Sequence, residues 1–254
     1  MVHIGTAGWS ITRASSAAFP ATGTHLQRYS SRLNCVEINS SFYRSHAYET
    51  YARWAASTPE QFRFSVKIPK LITHDLRFRR GRIPLERFLD EVAGLGSKLG
   101  TLLVQLPPSF EFDARVARTF FSLLRARHEG AVSCEPRHPS WFTRSAMQAL
   151  VAYRIGRAAA DPAVVPLSAL PGGWLGNTAD GSDTLAYYRW HGSPRQYWSC
   201  YAAESLRRLA TLITALPATT QTWCVFDNTA AGHALANALE LTALSRDILR
   251  CSAA

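Results

Sequence analysis

Histidines and carboxylates stand near the ends of segments rich in branched and aromatic residues, where they could exchange protons with a substrate. Histidine titrates near neutral pH, and a neighbouring carboxylate can orient the ring or perturb its pKa. This combination is typical of general acid and base catalysis. The histidines are His74, His138 and His191, and the carboxylates are Glu37, Glu135 and Asp161. The predicted catalytic residues are His191, Glu135, Glu37 and Asp161, with His191 as the group that exchanges the proton.

A second group of polar residues could hold an anion. Arginine binds phosphate or carboxylate through two parallel donors, and the charge strengthens these hydrogen bonds. We expect Arg137, Arg189 and Lys67 to hold such a group, while amide side chains beside them fix its geometry. The predicted substrate-binding residues are Asn39, Lys67, His74, Gln105, Arg137, His138, Arg189 and Asn228.

Several of these residues also allow other interpretations. Lys67 in a barrel interior could be a desolvated, nucleophilic amine for Schiff-base chemistry, or it could form a buried ion pair with Glu37 or Glu135. The polar residues together could be an architectural network in which, for example, Glu135 pairs with Arg189. His138, next to a proline, could simply form hydrogen bonds within its loop.

Short segments with strand composition must position these side chains. Each is rich in Val, Ile, Phe, Tyr or Trp and is bounded by turn-forming residues. The eight predicted strands are 2–7, 35–39, 63–68, 101–106, 131–136, 154–160, 185–191 and 222–227. Helical periodicity lies between most of them; the clearest stripe is Leu85, Phe88, Leu89, Val92 and Leu95, which follows Pro84. Similar stripes fall within 114–127 and 206–216, and a shorter one falls within 51–56.

The alternation of strand and helix requires a parallel sheet. Eight such units, with no G-x-G-x-x-G turn after the first strand, favour a (β/α)8 TIM barrel over an open doubly wound sheet. The 254 residues suit one such barrel. We therefore predict a single α/β domain, 1–254, with its site at the carboxyl-terminal ends of the strands. The stretch 161–183, with Pro171, Gly172 and Gly173, is predicted to be an elaborated loop.

Alternation along each strand predicts which side chains face the barrel axis. The inward residues by this rule are Glu37, Asn39, Ser65, Lys67, Gln105, Glu135, Arg137, Tyr187, Arg189 and His191, and Asp161, Asp227 and Asn228 close their strands toward the axis. Burying so many ionisable groups near one axis is costly unless they pair or bind something. Barrel enzymes build their sites at this face, so the pattern favours a functional site.

The formal net charge is +10 and comes almost wholly from arginine, because lysine occurs only at Lys67, Lys70 and Lys98. This excess could be a footprint for phosphates, or it could reflect genomic base composition. Either way, an anionic partner is favoured over a cationic one. No run of about 18 apolar residues and no signal peptide is visible, so we expect a soluble cytoplasmic protein with no membrane partner.

No cofactor is predicted, and a divalent metal is left as an alternative. Its ligands could come from Glu37, Glu135, Asp161, His138 and His191. No H-E-x-x-H or H-x-H pair exists, and the nearby arginines would repel a cation. The five cysteines form no C-x-x-C pair, which is typical of reduced, mostly buried thiols.

Seven stretches at the strand ends carry a family resemblance. They are IGTAGWS (4–10), VEINSSFYR (36–44), FSVKIPKLITH (64–74), LLVQLPPSF (102–110), EPRHPSW (135–141), YYRWHGSP (187–194) and FDNTAAG (226–232). Together they resemble the DUF72, or YecE-like, family over essentially the whole chain. The resemblance implies a TIM barrel without a firmly assigned activity. It implies pocket residues at Glu37, Asn39, Lys67, His74, Gln105, Glu135, Arg137, His138, Asp161, Arg189, His191 and Asn228, none with a known role.

The chain departs from that family pattern at two places. Many relatives resemble W-x-x-x-F-Y-P after the first strand, whereas this chain has Ala18 before Phe19 in the run 11–20. The eighth strand often reads F-N-N in relatives, whereas this chain has Phe226, Asp227 and Asn228. The first difference weakens any argument for an aromatic wall, and the second adds a carboxylate that could change the local charge.

These observations lead to three functional hypotheses. The first is an enzyme, of hydrolase or lyase type, acting on an anionic substrate such as a sugar phosphate or a nucleic-acid phosphodiester. The second is a non-catalytic nucleic-acid-binding module whose rim rings stack on bases, although the same rings could simply seal the barrel. Those rings are Trp9, Phe42, Tyr43, Trp141, Trp190, Tyr197 and Trp198. The third is a metal-dependent sugar isomerase or hydrolase.

Overall fold

Strands and helices alternate along the chain as predicted. A computed structural model describes residues 2–176 and 184–252. The strands are β1 (Val2–Thr6), β2 (Cys35–Ile38), β3 (Arg63–Lys67), β4 (Leu99–Gln105), β5 (Val132–Glu135), β6 (Gly156–Arg157), β7 (Ala159–Asp161), β8 (Gly172–Gly173), β9 (Leu185–Trp190) and β10 (Gln221–Phe226). The helices are α1 (His25–Ser30), α2 (Ser40–Tyr43), α3 (Tyr48–Ala56), α4 (Arg82–Val92), α5 (Ala114–Arg125), α6 (Arg144–Ala152), α7 (Ala203–Thr214) and α8 (His233–Ser252).

The strands form two largely parallel sheets. One has the order β1-β10-β9-β7 and the other the order β2-β3-β4-β5-β6-β8. Between the sheets, β1 and β2 meet at a single bridge that joins Ala7 to Glu37, and the Gly8 N–H donates to the Glu37 carbonyl at 2.8 Å. The α/β fold with parallel sheets is therefore confirmed. A closed eight-stranded barrel is not found among the described residues.

The sixth predicted strand, 154–160, is broken in the structure. Arg154 has a φ of 52°, outside the strand range, and the strand is interrupted at Ala158. On one side of the break β6 pairs with β5, and on the other side β7 pairs with β9. The second edge of β6 is taken by antiparallel β8, which lies inside the predicted loop 161–183. Residues 177–183 of that loop lie outside the described residues.

Apolar side chains form two cores. The larger core lies between the strands and the helices, and it contains the predicted stripe of α4 and the buried face of α5. Asp113 caps α5, because its Oδ1 accepts hydrogen bonds from the N–H groups of Arg115 and Val116. The smaller core is a layer of inward side chains: Cys35, Leu103, Ala158, Leu185, Tyr187, Trp223 and Val225. Among the described residues, no helix is long and apolar enough to cross a membrane.

Gly5 sets how closely β1 approaches β2, so its replacement tests the junction between the sheets. A Cβ at Gly5 would overlap the carbonyl oxygen of Cys35, and only a backbone shift could relieve the overlap. We expect Gly5→Ala to lower the free energy of unfolding by more than about 2 kcal/mol, as overpacking does. The control is Gly8→Ala: with a φ of 80° and no atom within 4 Å of its Cβ, it should cost about 1 kcal/mol. Urea denaturation measures both, and an equal loss in the two variants would contradict the close approach.

Candidate functional site

The buried guanidinium of Arg189 lies at the centre of the site. Glu37 binds it side-on: Nε donates to Oε2 at 2.9 Å, and Nη2 donates to Oε1 at 2.7 Å. Nη1 donates to Glu135 Oε2 at 2.5 Å, and Nη2 donates to Asp227 Oδ2 at 3.1 Å. Nη1 also lies 3.3 Å from Nε2 of His191. Four of the five N–H groups of Arg189 are therefore bound by carboxylates, and the fifth points at His191, so no donor is directed away from these residues toward a substrate anion.

Strand geometry explains why these side chains meet. Glu37 is the third residue of β2, Glu135 the last residue of β5, and Arg189 the fifth residue of β9. Two positions earlier on the same strand, each has either a member of the smaller core or an inward serine. Each therefore points to the same inward face and lies nearer the carboxyl end of its strand. The predicted convergence of Glu37, Lys67, Glu135, Arg189 and His191 is thus observed at the carboxyl-terminal ends of the strands.

His191 is buried between two carboxylates. Its Nδ1 lies 3.0 Å from Asp227 Oδ2, and its Nε2 lies 3.1 Å from Glu135 Oε1. Nη2 of Arg137 contacts the same Nε2. A ring protonated only on Nδ1 donates to Asp227 and leaves Nε2 free to accept from Arg137, whereas a doubly protonated ring donates to both carboxylates. Nε2 is therefore the ring nitrogen that faces both a hydrogen-bond donor, Arg137, and an acceptor, Glu135.

The charges of the site hold one another in place. Burial alone would raise the pKa of Glu135, but Arg137, Arg189 and His191 hold that pKa well below its ordinary value. Burial also opposes ionisation of Asp227, yet Arg189 and the hydrogen bond with His191 lower its pKa. Burial opposes the charge of Arg189 in turn, and the surrounding carboxylates raise its pKa well above the usual range. At neutral pH all three groups are ionised.

Glu37 belongs to the inner, structural side of the site. The hydroxyl of Tyr187 donates to its Oε2 at 2.9 Å and lies 2.7 Å from Ser65 Oγ. Burial, followed by the charge of Glu37, raises the pKa of Tyr187 well above its ordinary value, so the hydroxyl keeps its proton. With Arg189 and Tyr187 as donors, Glu37 is held in one orientation. The carboxylates that contact His191 are Glu135 and Asp227.

Lys67 enters the site from β3 without an ion pair. Its Nζ lies 4.0 Å from the centroid of the Phe42 ring, and no carboxylate oxygen among the described residues lies within 4.0 Å of it. Burial, followed by the charge of Arg189, lowers the pKa of Lys67 to about 8, although nearby carboxylates oppose the shift. The ring of His74 packs edge-on against Phe42, with centroids 4.8 Å apart. Burial and then the charge of Lys67 lower the pKa of His74 to about 4, so His74 is neutral at pH 7.

Arg137 differs from Arg189 because only part of its guanidinium is used. Nη2 contacts both Glu135 and His191. Its Nε and Nη1 make no hydrogen bond within the described ranges, and its side chain is 11% exposed. The unused donors of Arg137 are therefore available to an anion at the opening of the site.

Asp161 does not lie in this site. It pairs in register with Trp190, the residue after Arg189, so its side chain is on the opposite face of the sheet. Its Oδ2 accepts a hydrogen bond of 2.6 Å from the hydroxyl of Tyr201. The prediction that Asp161 faces the axis is wrong, because it is Ala160 that shares the face of Arg189.

Two further predicted residues stabilise loops. His138 caps the turn after β5, with Nδ1 2.8 Å from the Ser140 Oγ and 3.3 Å from the Ser140 backbone nitrogen. The Asn228 amide donates to the Ser199 carbonyl and to Asn237 Oδ1, at 2.9 Å each, and thereby joins a loop to α8. Neither side chain contacts Arg189 in the described structure, and the hydrogen bonds of both stabilise loops, although Oδ1 of Asn228 is buried without a partner among the described residues.

The remaining amides lie at the edge of the site. Gln105 pairs in register with Glu135 and shares its inward face, but its Nε2 donates to the carbonyl of Leu106 at 2.7 Å. Oδ1 of Asn39 is buried and has no hydrogen-bond partner in the part of the chain that the structure describes. Asn39 is therefore an acceptor without a protein donor near the ends of the strands.

Asp227 and Tyr197 lie in the site but are not among the catalytic and substrate-binding residues predicted from the sequence. Asp227 shares the inward face of Trp223 and Val225, which confirms its predicted direction toward the axis. The ring of Tyr197 packs edge-on against His191 with centroids 5.7 Å apart, and the residue has a φ of 68°. It reaches the site from a loop, and no periodic pattern could have placed it there.

A metal centre would need several His, Cys, Asp or Glu ligands around one point. Among residues 2–176 and 184–252, no group of three or more His, Cys, Asp and Glu side chains is arranged to hold a metal ion. Three carboxylates do converge, but the cation between them is the guanidinium of Arg189.

Replacement of Arg189 tests whether the site also holds the fold together. Arg189→Met would leave three buried carboxylates without their cation, and we expect a loss of about 3–5 kcal/mol in the free energy of unfolding. The control is Arg208→Met, which breaks only an exposed pair with Glu204 on α7 and should cost less than about 1 kcal/mol. Chemical denaturation at neutral pH measures both losses. Comparable small losses would show that the network contributes little to stability.

The lowered carboxyl pKa values predict acid sensitivity. Because the pKa of Glu135 is lower in the folded than in the unfolded state, the unfolded chain binds the proton first. Stability is then full above the ordinary carboxyl pKa and falls as pH decreases below about 4. We expect Glu135→Gln to be less stable at neutral pH but to lose less on acidification, whereas Glu111→Gln, at an exposed position, should behave like the unmodified protein. Denaturation from about pH 7 to about pH 3 measures this, and identical slopes in all three proteins would contradict it.

Two curated bacterial proteins are similar to this chain in sequence. The UPF0759 protein YecE of Escherichia coli K12 is 30% identical over 144 residues, which cover 57% of this chain and 51% of YecE. The UPF0759 protein YunF of Bacillus subtilis is 30% identical over 154 residues, which cover 56% of this chain and 53% of YunF. The chain spans about half the length of the curated relatives it matches.

Solved structures show the same fold. A DUF72 family protein of Enterococcus faecalis V583 superposes with a TM-score of 0.76 at 20% identity, covering 97% of this chain and 96% of that one. A DUF72 family protein of Thermotoga maritima MSB8 superposes with a TM-score of 0.75 at 24% identity, covering 98% and 99%. The model of the family described as protein of unknown function DUF72 matches residues 3–250. The chain therefore belongs to the DUF72 family, as its motifs predicted.

Proposed function

We propose that this protein is an enzyme, of hydrolase or lyase type, that transfers a proton on a small anionic substrate such as a sugar phosphate. The observation that carries the proposal is the position of His191, buried between Asp227 and Glu135 and beside the unused donors of Arg137. In this proposal the two sheets act together as one barrel, with the substrate at the carboxyl-terminal ends of the strands.

Recognition of the anion is assigned to Arg137. Its Nε and Nη1 can donate two charge-assisted hydrogen bonds to a phosphate or carboxylate group. Arg189 cannot serve this purpose in the observed geometry, because all its donors are engaged. Lys67 adds positive potential, and it has no ion pair among the described residues to neutralise it.

Proton transfer is assigned to Nε2 of His191. Asp227 accepts from Nδ1, which fixes the ring orientation and supports a proton gained at Nε2. When Nε2 carries a proton, it donates a hydrogen bond to Glu135. When Nε2 carries none, it accepts a hydrogen bond from Arg137. The site can therefore stabilise both states of the histidine, as a group that acts first as base and then as acid requires.

A ligand screen with variants tests the anion site. Purified protein is titrated with inorganic phosphate and with a panel of small phosphorylated and carboxylated compounds, using thermal shift and calorimetry. We expect Arg137→Met to weaken anion binding at least about tenfold. The control is Arg195→Met, since Arg195 lies over the Trp198 ring, 4.6 Å from its centroid, and makes no ion pair in the described structure. Equal binding by both variants would contradict the assignment.

A turnover assay tests the role of His191. The compounds that bind are incubated with the protein and analysed by mass spectrometry for loss of substrate. We expect His191→Gln to reduce turnover by about 10²–10⁴ while leaving anion binding within a few fold of the unmodified protein. Turnover that survives this substitution would contradict the proposed proton transfer.

A nucleic-acid-binding module is the second candidate, because the rim exposes aromatic rings beside arginine. Tyr43 is 79% exposed, and Trp198, beneath Arg195, is 46% exposed. Binding of a single-stranded oligonucleotide that weakens steeply as salt rises and depends on Arg195 instead of Arg137 would favour this function. The metal-dependent alternative predicts stoichiometric metal in the purified protein, which elemental analysis measures.

A further inference from the structure

The three lysines of the chain have different environments. Lys70 is exposed and pairs with Asp75 at 2.9 Å. Nζ of Lys98 donates to two backbone carbonyls, of Ala55 at 2.6 Å and of Thr58 at 2.7 Å. These contacts give each ammonium group partners within the protein. Both lysines therefore have an ordinary structural explanation.

Lys67 has no such partners. Among the described residues its Nζ makes no hydrogen bond and no ion pair, and it lies against the face of Phe42. Charged groups face it from four other strands: Glu37 at β2, Glu135 at β5, Arg189 at β9 and Asp227 after β10. The neutral ring of His74, which follows β3 in the chain, also faces Lys67. The amine is thus partly desolvated, unpaired and directed at the site.

We propose that Lys67 is a nucleophile that forms an imine with a carbonyl carbon of the substrate. The anionic substrate of the proposed function, on which this inference rests, is then a small keto or aldehyde compound that carries a carboxylate or a phosphate. The pKa of about 8 supports this role, because roughly a tenth of the amine is unprotonated at pH 7.

The step balances without an added reactant. Lys67 first releases one proton, and the Nζ lone pair then attacks the carbonyl carbon while the C=O π electrons move to oxygen. That oxygen takes up the released proton and one further proton from nitrogen, and it leaves as water with the C–O bonding electrons. In sum, ammonium and carbonyl give iminium and water, with no change in oxidation state.

The surroundings of Lys67 suit this product. The iminium carries the same single positive charge as the ammonium, so the balance with Glu37, Glu135 and Asp227 is kept. An iminium withdraws electrons from the adjacent carbon and makes its protons more acidic. A proton-transfer group such as His191 can then act on that carbon, which connects Lys67 with the acid–base chemistry of the site.

Reductive trapping tests the proposal on the unmodified protein. The protein is incubated near neutral pH with sodium cyanoborohydride and a carbonyl probe, either pyruvate as the anionic probe or acetone as the neutral one. Peptide mapping by mass spectrometry then quantifies the reduced adduct at each of the three lysines. We expect at least about tenfold more pyruvate adduct at Lys67 than at Lys70 or Lys98, because the Lys67 amine makes no hydrogen bond or ion pair among the described residues, whereas Lys70 pairs with Asp75 and Lys98 donates to two carbonyls.

Variants separate this inference from the proposed function. Lys67→Arg should abolish the selective adduct, whereas the control Lys70→Met should leave it unchanged. Equal labelling of all three lysines, or no adduct at Lys67, overturns the inference even if anion binding through Arg137 is intact. If pyruvate and acetone label Lys67 equally and Arg137→Met changes neither adduct, Lys67 is a nucleophile as proposed but the proposed anion site at Arg137 is contradicted. Because the mapping uses the unmodified protein, a variant that fails to fold does not prevent the test.

Discussion

The burial of one guanidinium group imposes the main constraint on this protein. A charge removed from water is stable only when opposite charges and hydrogen bonds surround it. Arg189 meets this condition through Glu37, Glu135 and Asp227, and these residues come from β2, β5 and the end of β10. The carboxyl ends of strands in both sheets must therefore meet around β9. The network thus links the two sheets beyond the single bridge between β1 and β2.

The same constraint divides the site into two sides. On the inner side, Glu37 is saturated by Arg189 and Tyr187, and this side rests on the small apolar core. On the outer side, Arg137 keeps unused donors, His191 has a nitrogen shared between a carboxylate and a guanidinium, and Lys67 has no ion pair in the described structure. The groups of the inner side are fixed by their partners, whereas those of the outer side can still bind or react. This difference supports the interpretation of the outer side as a site for a ligand.

Alternation along the strands predicted most of the inward residues, because side chains two apart in a strand share a face. From the sequence alone it identified Glu37, Lys67, Glu135, Arg189 and His191. The prediction for Asp161 rested on its position at the end of the strand and was wrong: Ala158 and Ala160 share the inward face, and Asp161 takes the opposite one. Three consecutive alanines carry no contrast between apolar and polar positions, so composition alone does not show which face of this strand is inward.

The sequence by itself determined the α/β class, the positions of most strands and helices, the family, and the chemical types available at the strand ends. Only the tertiary structure decided how those groups are used. It showed that Arg189 is saturated while Arg137 is not, that Asp227 orients His191, and that His138 and Asn228 serve loops. The physical reason is that periodicity fixes the direction of a side chain, whereas the partner of a charge depends on distances between residues more than a hundred positions apart in the chain.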